Sequence, residues 1–506
     1  MPCGFQRTLI IGTDGYIPIN GKKIGVATIC IEEDAARKIR EEKNTVYYRV
    51  DRLGIPLVEI VTLPEMENPE EVLKTAHRIG MLLRATGKVK RGLGTIRQDI
   101  NVSIEGGERV EIKGVQKLEW IPRLAENEAI RQIRLLEIKK ELLDRGLSEA
   151  DFSYDFHDVS EIFASTRCNI IKNRKKRERV MAVKLPKFAG LLGKEVQPGK
   201  SFGREIAERV VAIAGLKGII HSDEKLDKYN FTAEEDSKLR SLLNLEEKDS
   251  YVIVVGEENK AERALEIVVD RARDALRGVL RETRRALENG NSEFIRELHG
   301  GARLYPDTDT PPLVIGKERI EAIRKKLPEY PWVVQKRLAE KYGIKEEFAE
   351  ELLASDKMDL FIDIVEKFKI DPTIVAVSLL QTLKALEREG IQTENISQEK
   401  IKEIFRLLSE GRIAKEAVEE ILRVLGESPS TTVEEALKEL KLETITPEEL
   451  EALIDKILDE SIDFIKKSGE RAFSPMMGKV MKQVRGKIDG KVVAEVLRKK
   501  LEQRLG

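Results

Sequence analysis

The chain has 506 residues, with 89 Lys and Arg against 90 Asp and Glu for a formal net charge of −1. It is long enough for several domains, and it is no polycation that holds nucleic acid by bulk charge, although a local basic surface stays open. Charged residues make up 35% and aromatics 5%, a balance that fits ion-pair-rich proteins of hot environments or a highly soluble helical protein.

The first part of the chain, residues 1–175, reads as mixed α/β. Its cysteines, with the whole chain's three at Cys3, Cys30 and Cys168, are too scattered for a disulfide framework or a zinc finger. Strand-like runs are predicted at 7–12, 24–31, 46–50, 56–62, 95–104 and 108–115, the last two joined at Glu105-Gly106-Gly107 as a hairpin. The acids Glu32, Glu33 and Asp34 precede a predicted helix starting near Ala35, whose dipole they would favour. A second helix follows Asn68, with Pro69 in its first turn and Gly87 past its end, and a long one spans about 126–145.

In the run LVEIV of 57–61, Leu57, Glu59 and Val61 share a strand face, and a carboxylate there is costly to bury without a partner. In 96–104 the apolar Ile96, Ile100, Val102 and Ile104 take one face. Arg97, Asp99, Asn101 and Ser103 take the other and are free to line a cavity.

From 176 the pattern changes. Strand-like VMAVKLP, helical GREIAERVVAIAG, the short GIIHSD, a charged helical stretch, strand-like YVIVVGEE and a helix from Ala264 to Leu287 follow in order. HGGARLYPDTDTPPLV at 299–314 reads as a return to the first domain. Helical pattern then dominates from 318 to about 425, broken by Pro328, Pro331 and Pro372. Gly426 to Thr432 reads as a linker and 433–506 as a second helical unit. Within it Pro475-Met-Met-Gly-Lys-Val-Met481 reads as core and turn. No run of about twenty apolar residues exists for a membrane span, and no secretory signal is visible, so a cytoplasmic protein with no membrane partner is expected.

Three blocks in order, Pro56–Val61 (PLVEIV), Arg97–Ser103 (RQDINVS) and Val110–Lys113 (VEIK), resemble the B/E family of tRNA-dependent amidotransferase catalytic subunits, and most closely its archaeal branch. The resemblance implies an α+β multidomain protein. Its parts are a mixed α/β cradle-like catalytic domain (1–175), an α+β insertion domain similar to that of bacterial-type aspartyl-tRNA synthetases (176–290), a return segment (291–325), an all-α helical domain (326–428) and a helical tail (429–506). It implies a ligase that uses ATP and Mg²⁺ to phosphorylate the side-chain carboxylate of glutamate esterified to tRNA(Gln), then amidates it with ammonia. No ammonia-producing motif is visible in the chain, so the resemblance also implies an asparaginase-like amidase partner of the GatD type, in a heterodimer or a dimer of heterodimers.

By resemblance the metal ligands fall on Glu32 and Glu59; acids at a helix start and an edge-strand carboxylate facing water are the plain alternatives. Arg97 could hold a phosphate or the glutamyl carboxylate bidentately, Asp99 and Asn101 could orient ammonia, and Lys113 could meet the transferred phosphate. Cross-strand ion pairs on a solvated sheet are the alternative there. The family carries a Gly-Leu-Glu-x-His block that gives the metal site a further glutamate and a histidine. This sequence lacks it, which predicts a half-built site and leaves open a non-catalytic tRNA-binding or scaffold chain. Of the histidines His77, His157, His221 and His299, only Glu297-x-His299 has the bare spacing, without the preceding Gly-Leu. A weaker third reading, a relative of aspartyl-tRNA synthetases, rests on the insertion domain alone.

Gly193 to Ser201 nearly matches a phosphate-binding loop, but five residues separate its glycines where four are needed, and Pro198 has no N–H to offer; a charged turn is the better reading. Lys466, Lys467, Arg471, Lys479, Lys482, Arg485, Lys487 and Lys491 outnumber nearby acids in the tail. They could track tRNA phosphates or form a solvated helix face.

Overall fold

The computed structural model describes residues 8–42, 45–90, 92, 94–298, 311–428, 430–440, 447–484 and 490–505, with the backbone alone at 447, 467, 470, 491 and 505. The chain forms two compact units, Met1–Gly80 with Val89–Ile315 and Met81–Lys88 with Gly316–Gly506. The stretch 299–310, which includes His299 and the middle of the predicted return segment 291–325, lies outside the described residues.

The first unit opens with strands β1 (Thr8–Ile19) and β2 (Lys22–Glu33), a ribbon of β3 (Arg37–Glu42) and β4 (Thr45–Arg49), then β5 (Pro56–Thr62). β2 pairs antiparallel with both β1 and β5. Along β2, Ile24, Val26, Cys30 and Glu32 are buried while Ile31 and Glu33 are exposed, the alternation a pleated strand imposes. The helix predicted from Ala35 is not formed. Asp34 keeps the sheet going instead, its N–H donating to the Ile55 carbonyl at 2.9 Å and its carbonyl accepting from Gly54 N–H at 3.0 Å.

Helix α1 (Pro69–Ala85) starts as the sequence predicts, with Asn68 Oδ1 accepting from Glu71 N–H at 3.0 Å. β6 (Gln98–Val102) and β7 (Val110–Val115) form the predicted antiparallel hairpin. The strand is shorter than the pattern suggests: Ile100 is buried and Val102 half-buried, while Arg97 lies just before it and Ser103 just after. Helix α2 (Ile121–Asp144) clamps the hairpin, since Gln132 donates to the Val102 carbonyl at 3.1 Å and accepts from Ile104 N–H at 3.3 Å. Gly107 is required here, because a Cβ would lie 2.3 Å from Gln132 Oε1.

The next stretch supplies β8 (His157–Asp158), a short α3 (Asn169–Lys172), β9 (Glu178–Leu185), a small hairpin of β10 (Glu195–Gln197) and β11 (Lys200–Ser201), then α4 (Phe202–Ala214) and β12 (Ile220–His221). After these come α5 (Ala233–Leu242), β13 (Ser250–Glu257) and α6 (Glu258–Asp274). One core joins residues of β6, β7 and α2 to residues of β9, α4, β13 and α6. A second cluster lies among Val159, Phe163, Phe231 and Tyr251.

The predicted helix over 264–287 is corrected. α6 ends at Asp274, and β14 (Glu282–Ala286) and β15 (Ser292–Glu297) follow. Gly278, at φ +89°, breaks the helix. β14 then runs parallel to β7 and antiparallel to β15, giving a sheet in the order β15-β14-β7-β6.

The second unit is helical. One core gathers Leu338, Phe361, Leu379, Phe405, Ile421 and Leu437, and another gathers Leu450, Ile454, Met476, Val480 and Leu497. The predicted linker starts two residues late: Gly426 and Glu427 close the helix Ala417–Glu427, 428 and 430–432 are non-helical, and Thr432 caps the helix Val433–Glu439, accepting from Glu435 N–H at 3.2 Å. Met476 and Val480 are core residues as expected, but they sit within the continuous helix Phe473–Val484 and not at a turn.

Candidate active site

The metal candidates lie on adjacent strands. In the β2–β5 register Cys30 faces Glu59 and Glu32 faces Leu57, so Glu32 and Glu59 leave the same face of the sheet as diagonal neighbours, with Cα atoms about 7–8 Å apart. Glu32 is 6% exposed and accepts from Thr8 Oγ1 at 2.9 Å, and Glu59 is half-buried. With no helix after Asp34, the helix-dipole reading of these acids falls. Among the described residues no cluster of three or more His, Cys, Asp or Glu is arranged around a metal. The pair fits a hard cation such as Mg²⁺, which takes one or two carboxylates and fills its remaining positions with water and phosphate oxygens. The histidines set aside as metal donors are engaged elsewhere: His157 Nε2 lies 3.3 Å from Asp155, and His221 is buried 3.5 Å from Glu224, its pKa lowered by that burial.

Asp34 ties this face to the second sheet. Its carboxylate lies 3.1 Å from Arg52 Nε and 3.8 Å from Arg97 Nη2. Arg97 thus approaches the end of β2 from the start of β6. On the outward face of the four-stranded sheet, Lys113 Nζ donates to Asp99 at 2.8 Å and sits 3.2 Å from Glu111. Asn101 stands opposite Glu111 in register, and Thr283 Oγ1 on β14 donates to Glu111 Oε2 at 3.0 Å. Burial would lower the Lys113 pKa, but the bond to Asp99 and the charges of Asp99 and Glu111 raise it above the ordinary lysine value. Lys113 is therefore a fixed cation. Asp99, Asn101 and Lys113 share this face, whereas Arg97 lies just before β6 and reaches Asp34.

The sequence marks Asp34 only as a helix-start acid, and it does not single out Arg52, Glu111 or Thr283. Glu111 lies within the VEIK block that flags Lys113. Thr283 is hidden in a stretch that reads as helix, where Gly278 is the available signal.

The opposite face of the same sheet is sealed. Glu282 and Arg284 of β14 meet Glu128 and Arg131 of α2, Glu205 and Arg209 of α4 and Arg271 of α6, all under 5% exposed. Arg131 donates to Glu205 through Nε at 2.7 Å and Nη2 at 3.0 Å, to Glu128 at 2.9 Å, and also to Glu282. Arg209 and Arg284 each donate to Glu282 at 2.5 Å. Burial would raise the Glu282 and Glu205 carboxyls, but the arginines around them hold both well below the ordinary range.

The near-P-loop is excluded as a phosphate cradle by its own lysine. Lys200 is 7% exposed, with Nζ donating to Glu208 at 3.0 Å and to the Ser292 carbonyl at 2.5 Å, and Ser201 caps α4. In the tail, Lys466, Arg471, Lys479 and Lys482 are exposed. Arg485 and Lys487 lie outside the described residues, and so do the side chains of Lys467 and Lys491. No helix among the described residues is long and apolar enough to cross a membrane.

Residues 1–321 match the family described as the GatB/GatE catalytic domain, and residues 359–501 match the GatB domain. The chain is 47% identical over 503 residues to a protein of Methanocaldococcus jannaschii named as the E-type subunit of glutamyl-tRNA(Gln) amidotransferase, covering 99% of this chain and 79% of the relative. Proteins of the same name from Thermococcus sibiricus (45% over 501 residues, 99% and 79% covered) and Pyrococcus furiosus (46% over 475 residues, 94% and 75% covered) are similar along nearly the same span.

Proposed function

The chain belongs to the GatB/GatE family of tRNA-dependent amidotransferases, and from that premise we propose how its residues divide the reaction. The chain is the component that converts Glu-tRNA(Gln) to Gln-tRNA(Gln), an ATP-dependent ligase reaction served by a partner amidase. The scaffold reading is not favoured, since 99% of the chain aligns with relatives named for this amidotransferase.

The observation that carries the site assignment is the shared face of Glu32 and Glu59, joined through Asp34 and Arg97 to the polar face of Asp99, Asn101 and Lys113. Glu32 and Glu59 would hold Mg²⁺, which would screen the phosphate oxygens of ATP during transfer. Arg97 presents a planar fork of donors suited to the glutamyl carboxylate. Once that carboxylate carries the phosphoryl group, Lys113 supplies a fixed positive charge to its oxygens. Ammonia then attacks the acyl carbon, the carbon–oxygen bond to phosphate breaks, and the amide forms. Asp99 and Asn101 offer acceptors that orient the incoming nitrogen, and Asp99 also holds Lys113 in place at 2.8 Å.

We assign this chemistry to a cradle-like domain of 1–175 with the return segment 291–325. The segment 176–290 is a synthetase-like insertion, 326–428 a helical domain, and 429–506 a tRNA-binding tail. The amidase is of the asparaginase-like GatD type, in a heterodimer or a dimer of heterodimers. Glu32→Gln or Glu59→Gln is expected to lower ATP-dependent phosphorylation of the glutamyl group on the order of a hundredfold or more, with tRNA affinity retained. Unchanged turnover in both variants would overturn the metal assignment. Deletion after Leu440, beyond the last helix of the Leu338–Leu437 core, is expected to weaken tRNA affinity; full affinity would remove the tail from the binding surface.

A further inference from the structure

The ribbon of β3 and β4 is an excursion between the two strands that carry Glu32 and Glu59. Its base is pinned by the backbone pair of Asp34 with Gly54 and Ile55 and by the Asp34–Arg52 ion pair. Every residue of both strands is exposed. From 37 to 52 the sequence holds six Arg and Lys against three Asp and Glu, in a chain of net charge −1.

The register sorts the ribbon into two faces. Arg37 faces Arg49 and Arg40 faces Tyr47, so one face carries three arginines and a tyrosine. The Arg40 guanidinium stacks over the Tyr47 ring at 4.0 Å and lies 3.2 Å from Glu42. Arg37 and Arg49 have no carboxylate partner among the described residues. Directly opposed like charges destabilise a strand pair. Nothing in the folding of the ribbon accounts for this arrangement, whereas an anion bound between the two arginines would. Stacked Arg and Tyr beside unpaired Arg is the surface that takes single-stranded nucleic acid, with phosphates on the guanidinium groups and a base on the aromatic layer.

We propose that the β3–β4 ribbon binds the single-stranded 3′ end of the tRNA and so delivers its esterified glutamate to the face of Glu32 and Glu59. The inference rests on the tRNA-linked substrate of the preceding section and places the contact beside the carboxylates. The terminal ribose bears the glutamyl ester, so an RNA end held on the ribbon lies next to the strands where that glutamate must react. Arg37 and Arg49 are binding residues here, and Tyr47 is the stacking platform.

The test is equilibrium binding of unacylated tRNA(Gln) to the full chain without ATP, followed by fluorescence anisotropy over a range of salt. It reports nothing on phosphorylation, so failure of the metal assignment leaves it unaffected. The double variant Arg37→Gln/Arg49→Gln is expected to bind about tenfold more weakly, with the slope of log affinity against log salt reduced by about one. Its unfolding midpoint should hold or rise, because the opposed charges are gone. A tRNA trimmed of its single-stranded 3′ nucleotides should bind wild type and variant equally. Unchanged affinity and slope would overturn the proposal. An equal loss on trimmed and intact tRNA would overturn the assignment to the 3′ end. A lowered midpoint would overturn the premise that the arginine pair is unfavourable to the fold.

Discussion

Glu282 and Arg284 point from β14 into a core where seven charged side chains are almost wholly out of water, while Thr283 and Arg285 point outward from the same strand towards Glu111 and Lys113. The two faces use the same residue types and differ in what water does to them. On the buried side each ion loses its hydration, so it needs an oppositely charged partner, and removing one leaves another stranded. Arg131 has three carboxylate partners and Glu282 three arginine partners. On the outward side Lys113 and Asp99 are 36% and 41% exposed, and pairs of that kind contribute roughly 0–1 kcal/mol. Stability accounts for the first network and leaves the second without a folding reason. That asymmetry supports giving the outward face to chemistry and the inward face to holding β14 against α2, α4 and α6.

The sharpest way to break the comparison is to remove one buried partner. Arg131→Met is expected to destabilise the fold by about 3–5 kcal/mol, read as a lower midpoint in denaturant unfolding. A loss under about 1 kcal/mol would mean that the two faces are energetically alike. The acid limb probes the same network. The folded-state pKa values of Glu205 and Glu282 are depressed, the latter to about 2. Their contribution is therefore fully present above the unfolded carboxylate value of about 4.3 and is lost as pH falls from there towards 2. In Glu282→Gln the unfolding free energy should be lower at neutral pH and fall less steeply through that window.

The same division explains what can be read from the chain. Period-two alternation in RQDINVS reports a strand because one of its faces has to be apolar, the short apolar run LVEIV broken by one carboxylate reports another, and together they place Glu59, Asp99 and Asn101 correctly on strands. It fails where polar residues take the positions that apolar ones would normally mark. In ETRRA at 282–286 the buried positions are Glu282, Thr283 and Arg284, with no apolar residue among them, so the strand looks like the end of a charged helix. ARKIREE at 36–42 is built of good helix formers, yet the β3–β4 ribbon is held by cross-strand pairing and the Arg40–Tyr47 stack. The Asp34 link between the sheets is invisible for a different reason. It depends on Arg52 and Arg97, which lie 18 and 63 positions further along the chain.

On the outward face, Lys113→Met tests the chemical half of the comparison. The raised pKa keeps Lys113 charged throughout the neutral range, its stabilising contribution being lost only above the unfolded lysine value, so a proton switch at that residue is not expected to shape activity near pH 7. The variant should slow glutamyl phosphorylation on the order of a hundredfold while moving the unfolding free energy by less than about 1 kcal/mol. A change in stability comparable to that of Arg131→Met, with turnover intact, would reassign Lys113 to the fold.

Thr283→Val is the smallest and most discriminating change. It keeps the shape and the strand-forming character of the side chain and removes only the donor to Glu111, which in turn sits 3.2 Å from Lys113. A hydrogen bond of this kind contributes about 0.5–1.5 kcal/mol, so the unfolding midpoint should shift little. If Glu111 helps aim Lys113 at the transferred phosphate, the loss should fall on kcat by a few fold, leave KM for the aminoacylated tRNA in place, and be recovered in Thr283→Ser. An unchanged kcat would place Thr283 and Glu111 with the structural face, and would narrow the functional surface to β6 and Lys113.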